Sequence, residues 1–150
     1  ATSFIIVPNP RLRAAMQRRI SGSAGNVTPF GYVALEAAFR DGDDWLTQVL
    51  HYIEGNVTFV QLFIRDHMPQ VKVTPIEGTY LIWLDFRALG MTTPQLSDFL
   101  RGQAKVGLDE GYVFGPGGEG FARMNIACPR STLQEGLNRI AGALARQNAS

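Results

Sequence analysis

At 150 residues, with 45% hydrophobic, 10% aromatic and 18% charged side chains, the chain has the composition of a globular protein, which excludes a disordered or collagen-like one. Its 14 basic and 13 acidic residues leave a formal charge of +1; they are scattered along the sequence, which excludes the strong field that draws nucleic acid or an anionic membrane. The single cysteine, Cys128, permits no intrachain disulfide, and no apolar stretch approaches the roughly 20 residues that span a bilayer, so the cytoplasm is the expected compartment.

The opening residues Ala1 to Pro8 lack an initiating Met and a basic region before an apolar run, and read as a cut inside a strand rather than a signal peptide. Phe4 to Val7 is a β-branched apolar run that fits a buried strand of a parallel sheet. Asn9 and Pro10 start a helix, Asn as N-cap and Pro in its first turn, with Leu12, Ala15 and Met16 on one stripe up to Gly22. Pro29 and Gly31 punctuate a loop, followed by a small-residue helical face of Val33, Ala34, Ala37 and Ala38 that ends near Gly42. Asp43 or Asp44 caps a long helix whose apolar positions Trp45, Val49, Ile53, Val60 and Ile64 recur until Pro69.

From Val71 β-branched and polar residues alternate through Thr74, and after the turn at Gly78 an apolar strand runs from Thr79 to Phe86. Thr93 and Pro94 open a helix carrying Leu96, Phe99 and Leu100. Strands are expected around Tyr112 to Phe114 and from Phe121 to Ile126, either side of a glycine-rich loop. Ser131 with Gln134 forms a capping box, and Leu133, Leu137, Ile140 and Leu144 stripe the last helix. The second half is thus an α+β arrangement of a small sheet covered by helices.

The loop Gly115 to Gly120 matches G-x-G-x-x-G in letters, but a strand follows it instead of a helix and no acid lies about 20 residues on, so it reads as a hairpin-like connection and not a dinucleotide site. In the strand after it, Phe121, Arg123 and Asn125 share one face while Ala122, Met124 and Ile126 share the core face. An arginine beside a glycine loop presents a planar fork suited to a carboxylate; an ordinary solvated arginine is the other reading. His51 and His67 have no second ligand at metal spacing, and Cys128 has no CxxC partner, so neither a metal site nor a catalytic thiol is expected.

The stretches 76–87 (IEGTYLIWLDFR), 109–115 (DEGYVFG) and 120–130 (GFARMNIACPR), in this order and spacing, together resemble the MalY/PatB cystathionine β-lyase-like family. That family is a branch of the class I/II aminotransferase superfamily of fold-type-I pyridoxal 5'-phosphate (PLP) enzymes. The resemblance covers nearly the whole chain. It implies an α/β PLP-dependent transferase fold of type I, with residues 1–70 ending the large PLP-binding domain through a long connecting helix and residues 71–150 forming the C-terminal small α+β domain. In that family the arginine of the Phe-x-Arg-x-Asn stretch grips the substrate α-carboxylate, which falls here on Arg123. The Schiff-base lysine is expected upstream of Ala1, since Lys72 and Lys105 do not stand in the family's lysine setting; no catalytic or cofactor-binding residue is carried over. The loop Asn26 to Gly31 resembles a segment near the subunit interface, implying a homodimer.

The resemblance therefore implies PLP as cofactor, a small amino acid as substrate, and α,β-elimination to a thiol, ammonia and pyruvate. An aminotransferase on the same scaffold is the second reading. A stand-alone α+β binding module that keeps the arginine without PLP is the third, and the buried-type run at Phe4 to Val7 weighs against it, because such a strand needs a larger sheet.

Overall fold

The structure, a computed structural model, describes residues 2–21 and 27–148. It divides into two compact units, residues 1–49 and 50–150, which meet inside one helix. In the first unit an extended segment leads to α1 (Pro10–Ile20), α2 (Pro29–Asp41) and the first turns of α3 (Asp43–His67). The Asn9 carboxamide accepts from the backbone of Arg11 and Leu12 at 3.0 and 3.2 Å, and the Thr28 hydroxyl accepts from Gly31 at 3.3 Å. Each cap is followed by a proline whose missing N–H costs the first turn nothing. Pro29 and Gly31, expected in a loop, therefore start α2. Gly22 and Asn26, named as the end of one helix and the start of an interface loop, lie outside the described residues.

Phe4 to Val7 is not a strand. No other strand lies alongside it among the described residues, and a parallel strand takes all its ladder bonds from neighbours. Phe4, Ile5 and Ile6 stand 52%, 61% and 78% exposed, and α1 and α2 bury none of their residues.

The second unit has a core of its own. Four antiparallel strands lie in the order β1-β2-β4-β3: β1 (Lys72–Val73), β2 (Leu81–Asp85), β3 (Asp109–Glu110) and β4 (Phe121–Asn125). Period-two alternation sends Ile82, Leu84, Ala122 and Met124 to one face. There they join Val60 and Ile64 of α3, Leu96 of α4 (Thr93–Asp98), Phe99 and Leu100 of the π-helical turn that extends it, and Leu133, Leu137, Ile140 and Leu144 of α5 (Arg130–Asn148). The apolar stripes of α4, β4 and α5 thus pack as the sequence pattern implies. A strand at Tyr112 to Phe114 does not form: Gly111–Phe114 is a 3₁₀ turn and β3 ends just before it. Gly111 and Gly118 pass so closely that a Cβ on either would collide with the other's carbonyl, and this crossing bends the chain before the aromatic run can extend.

A buried amide ties helix to sheet. Asn56, fully buried on α3, donates to the carbonyls of Ile126 at 2.7 Å and Cys128 at 3.1 Å, and accepts from Arg130 Nε at 2.7 Å. The Arg130 N–H donates to the Tyr52 hydroxyl at 2.9 Å. These bonds fix the start of α5 at Arg130, so Ser131 lies inside the first turn and does not cap it. A Thr–Gln pair at this spacing caps α4 instead: the Thr92 N–H and hydroxyl both donate to Gln95 Oε1, at 2.8 and 2.9 Å. At the other end of β2, the Arg87 guanidinium holds the Asp85 carboxyl below the usual carboxylate range through bonds of 2.9 and 2.8 Å, outweighing partial burial; the Arg87 N–H and the charge of Lys72 add to it.

Asn56→Ala strands the buried Ile126 carbonyl, the part-buried Cys128 carbonyl and one guanidinium, and is expected to lower stability by roughly 2–4 kcal/mol, read as a lower urea midpoint at unchanged slope. Because the Asp85 carboxyl is held below its unfolded range, its contribution is present above that range and fades as pH falls through the folded value. Asp85→Asn should therefore lower stability at pH 7 and flatten part of the decline between pH 5 and pH 2, checked by urea titrations across that window; a parallel decline in both proteins would remove Asp85 from the acid response.

Candidate carboxylate site on the sheet

The face of the sheet opposite the core is built by register. In the β2–β4 ladder Leu81 lies opposite Asn125, Trp83 opposite Arg123 and Asp85 opposite Phe121; from the other side β3 sets Asp109 opposite Arg123. Arg123, the residue singled out by alternation, thus stands mid-sheet between Trp83 and Asp109 with its side chain 27% exposed.

Its guanidinium is oriented by two kinds of contact. Nε and Nη2 both donate to Asp109 Oδ2, at 3.2 and 2.7 Å. The ring of Phe114 lies across the guanidinium face, 4.3 Å from Cζ, and Trp83 meets Phe114 edge-on at 5.2 Å. A partly desolvated cation over an aromatic face gains about 0.5–2 kcal/mol. Beside it Trp83, Phe114, Pro116, Phe121 and Thr74 line a cleft of about 270 Å³. The other polar residue of this strand is engaged elsewhere: Asn125 accepts from the Ala127 N–H at 2.9 Å and ends β4.

The glycine loop serves this geometry. Gly115, Gly117 and Gly120 have φ of 113°, 90° and 78°, a region L side chains avoid. The loop joins the antiparallel pair β3 and β4, as a hairpin-like connection does, and leads into a strand. It opens a strand and not a helix, so it lacks the loop-to-helix turn by which the dinucleotide fingerprint seats a pyrophosphate.

Sequence reasoning found Arg123 but missed Asp109, Phe114 and Trp83. Trp83 was open to the same period-two reading, standing between core residues Ile82 and Leu84. Asp109 reaches the arginine through the pairing of β3 with β4, and Phe114 through the 3₁₀ turn after it, neither of which a local pattern announces.

The other candidates lie apart from this cluster. Lys72 is exposed on β1, opposite Asp85, and Lys105 is exposed with its carbonyl accepting from Arg139. Neither is among the groups in contact with Arg123. His51 is exposed, His67 stacks near Phe63 at 4.4 Å, and Cys128 is half-buried with its carbonyl held by Asn56. Among the described residues no three His, Cys, Asp or Glu side chains gather as metal ligands, and no helix is long and apolar enough to cross a membrane.

No protein-family model matches the chain. Individual proteins do. It is 39% identical over 143 residues to cystathionine beta-lyase PatB of Bacillus subtilis, and 32% identical over 144 residues to protein MalY of Escherichia coli, each covering 95% of this chain. The solved structure of cystalysin from Treponema denticola, which contains pyridoxal 5'-phosphate, superposes with a TM-score of 0.86 at 38% identity, over 95% of this chain and 36% of that one. An aspartate aminotransferase of Pyrococcus horikoshii is more distant, at 28% identity over 144 residues. The chain spans about 37% of the length of the curated lyases it matches. Over its own length, then, the chain is a homologue of part of the MalY/PatB-type cystathionine β-lyases and has the architecture of the corresponding part of a fold-type-I PLP enzyme.

Proposed function

We propose that the chain is the C-terminal portion of a PLP-dependent carbon–sulfur lyase, and that Arg123 binds the α-carboxylate of its amino-acid substrate. The observation that carries this reading is the state of the arginine: half-buried, backed by Phe114, held along one edge by Asp109, with no described partner at Nη1. Guanidinium offers two planar edges, and a carboxylate pairs with either in a fork of parallel hydrogen bonds. Arg87 on the same face is less suited, because its side chain is 64% exposed and water competes for it.

When bound, PLP supplies the electron sink that lets the α-proton leave and a β-thiolate depart, giving a thiol, ammonia and pyruvate. The part played by this chain is positional. By fixing the carboxylate, Arg123 limits rotation about the substrate Cα and holds the Cα–H bond toward the base. The lysine that would hold the cofactor is placed upstream of Ala1, so these 150 residues alone are expected to be inactive. Residues 1–70 are read as the end of the large domain with its connecting helix, and 71–150 as the small domain. The exposed Phe4, Ile5, Ile6, Phe30 and Phe39 support burial of the first unit in a larger body. A cytoplasmic homodimer is the expected form, with no nucleic acid or membrane partner.

An aminotransferase is the second reading, supported by the relative at 28% identity. It uses the same arginine and differs in the fate of the nitrogen. In the full-length protein, L-cystathionine should yield pyruvate without any added keto acid; a strict requirement for a keto acid would indicate transamination. Arg123→Ala should raise KM by roughly a hundredfold, the loss of a charge-assisted bidentate pair. Arg123→Lys, which keeps the charge and loses the fork, should fall between. Unchanged kinetics in Arg123→Ala contradict the assignment.

A further inference from the structure

We propose that Asp109 is a positioning residue for the carboxylate site: it occupies the Nε–Nη2 edge of Arg123 and so aims the Nη1–Nη2 edge at the substrate. The inference rests on the reading of Arg123 above and adds a residue to it. Three observations support it.

The two bonds from Arg123 converge on one oxygen, Asp109 Oδ2, from the side of the guanidinium, at 3.2 and 2.7 Å. They fix the plane in two directions, and the Phe114 ring at 4.3 Å closes the third. A long side chain with four rotatable bonds is thereby reduced to one presentation, and the freedom it would otherwise lose on binding substrate is already lost.

Asp109 is itself held. The strand β3 has only two residues, and its second, Glu110, is buried and anchored by the Ser97 hydroxyl at 2.9 Å and Arg101 Nη2 at 2.7 Å. Glu110 lies opposite Ala122 and Asp109 opposite Arg123. The buried acid pins the strand to α4 and the adjoining π-helical turn, and the exposed acid beside it inherits a fixed register.

Arg123 also keeps an outer edge. Nη1 makes no hydrogen bond among the described residues, and one N–H of Nη2 remains besides that given to Asp109. The rival geometry has Asp109 standing in for the substrate carboxylate, to be displaced on binding. That arrangement favours a fork with both oxygens engaged, as Asp85 engages Arg87 at 2.9 and 2.8 Å, whereas a single oxygen serves Arg123. The Asp109 side chain is 55% exposed, so solvent and salt screen its repulsion of an incoming carboxylate while its hydrogen bonds act locally.

The test uses the full-length protein and 3-(methylthio)propionate, a carboxylate with no amino group to react, with affinity measured by calorimetry alongside L-cystathionine kinetics. Asp109→Ala should weaken binding of this probe on the order of tenfold and raise KM to match, with kcat within about twofold. Asp109→Asn, which keeps an oxygen acceptor in the same place, should stay within about threefold of the parent on both. Thermal unfolding of both variants checks that the fold is kept. Parent-like affinity in Asp109→Ala overturns the proposal, and so does tighter binding, which would make Asp109 a competitor of the substrate. Arg123→Ala run in parallel separates the two levels: if it alone loses the probe, only the role of Asp109 fails, and if it too binds as the parent does, the reading of Arg123 fails.

Discussion

The pairing of β2 with β4, from Leu81 opposite Asn125 to Asp85 opposite Phe121, decides which side of the sheet every chemically interesting residue occupies. Strand side chains alternate with a period of two, so a slip of one residue would drive Arg123 among Val60, Ile64 and Leu137 and lift Ala122 and Met124 into solvent. Burying an unpaired guanidinium costs several kcal/mol, and exposing that much apolar surface costs a similar amount again. The core thus specifies the site. Ile82, Leu84, Ala122 and Met124, each 4% exposed or less, are the reason that Trp83, Arg123 and Asp109 face outward together.

Arg87, Arg123 and Arg130 each lie over an aromatic ring, and their surroundings separate their roles. Arg130 over Phe59, at 4.7 Å, is bound to Asn56 and closes the join of β4 to α5. Arg87 over Phe121, at 4.6 Å, engages both oxygens of Asp85 where β2 ends. Arg123 over Phe114 alone combines partial burial, an adjoining cleft and an outer edge. Stacking on a ring is therefore common to all three and selects none; the remaining donors do.

Much of this fold was legible because it rests on local chemistry. Asn9 with its following proline starts a helix, and the stripe Leu133, Leu137, Ile140, Leu144 meets the sheet as its 3.6-residue spacing requires. The alternation from Phe121 to Ile126 was enough to put Arg123 on the open face. What was illegible depends on residues distant in sequence. Asn56 binds carbonyls 70 and 72 positions away, and by type alone it is an ordinary helix residue. Ser131 has the spacing of a cap, but the Tyr52 hydroxyl and Asn56 fix a start two residues earlier than such a cap implies, at Arg130. The aromatic run Tyr112 to Phe114 has strand propensity and is overruled by the crossing of Gly111 and Gly118. Phe4 to Val7 has the composition of a buried strand and none of the described residues to pair with.

On the proposed reading, Arg123 receives a carboxylate at its outer edge while Asp109 keeps the inner one. A crystal structure of the full-length protein with 3-(methylthio)propionate tests it most directly. Both carboxylate oxygens are expected within hydrogen-bonding reach of Nη1 and Nη2 of Arg123, with Asp109 still bonded to Nε and Phe114 still across the guanidinium. A carboxylate bound to other residues, with Arg123 turned into solvent, would contradict it.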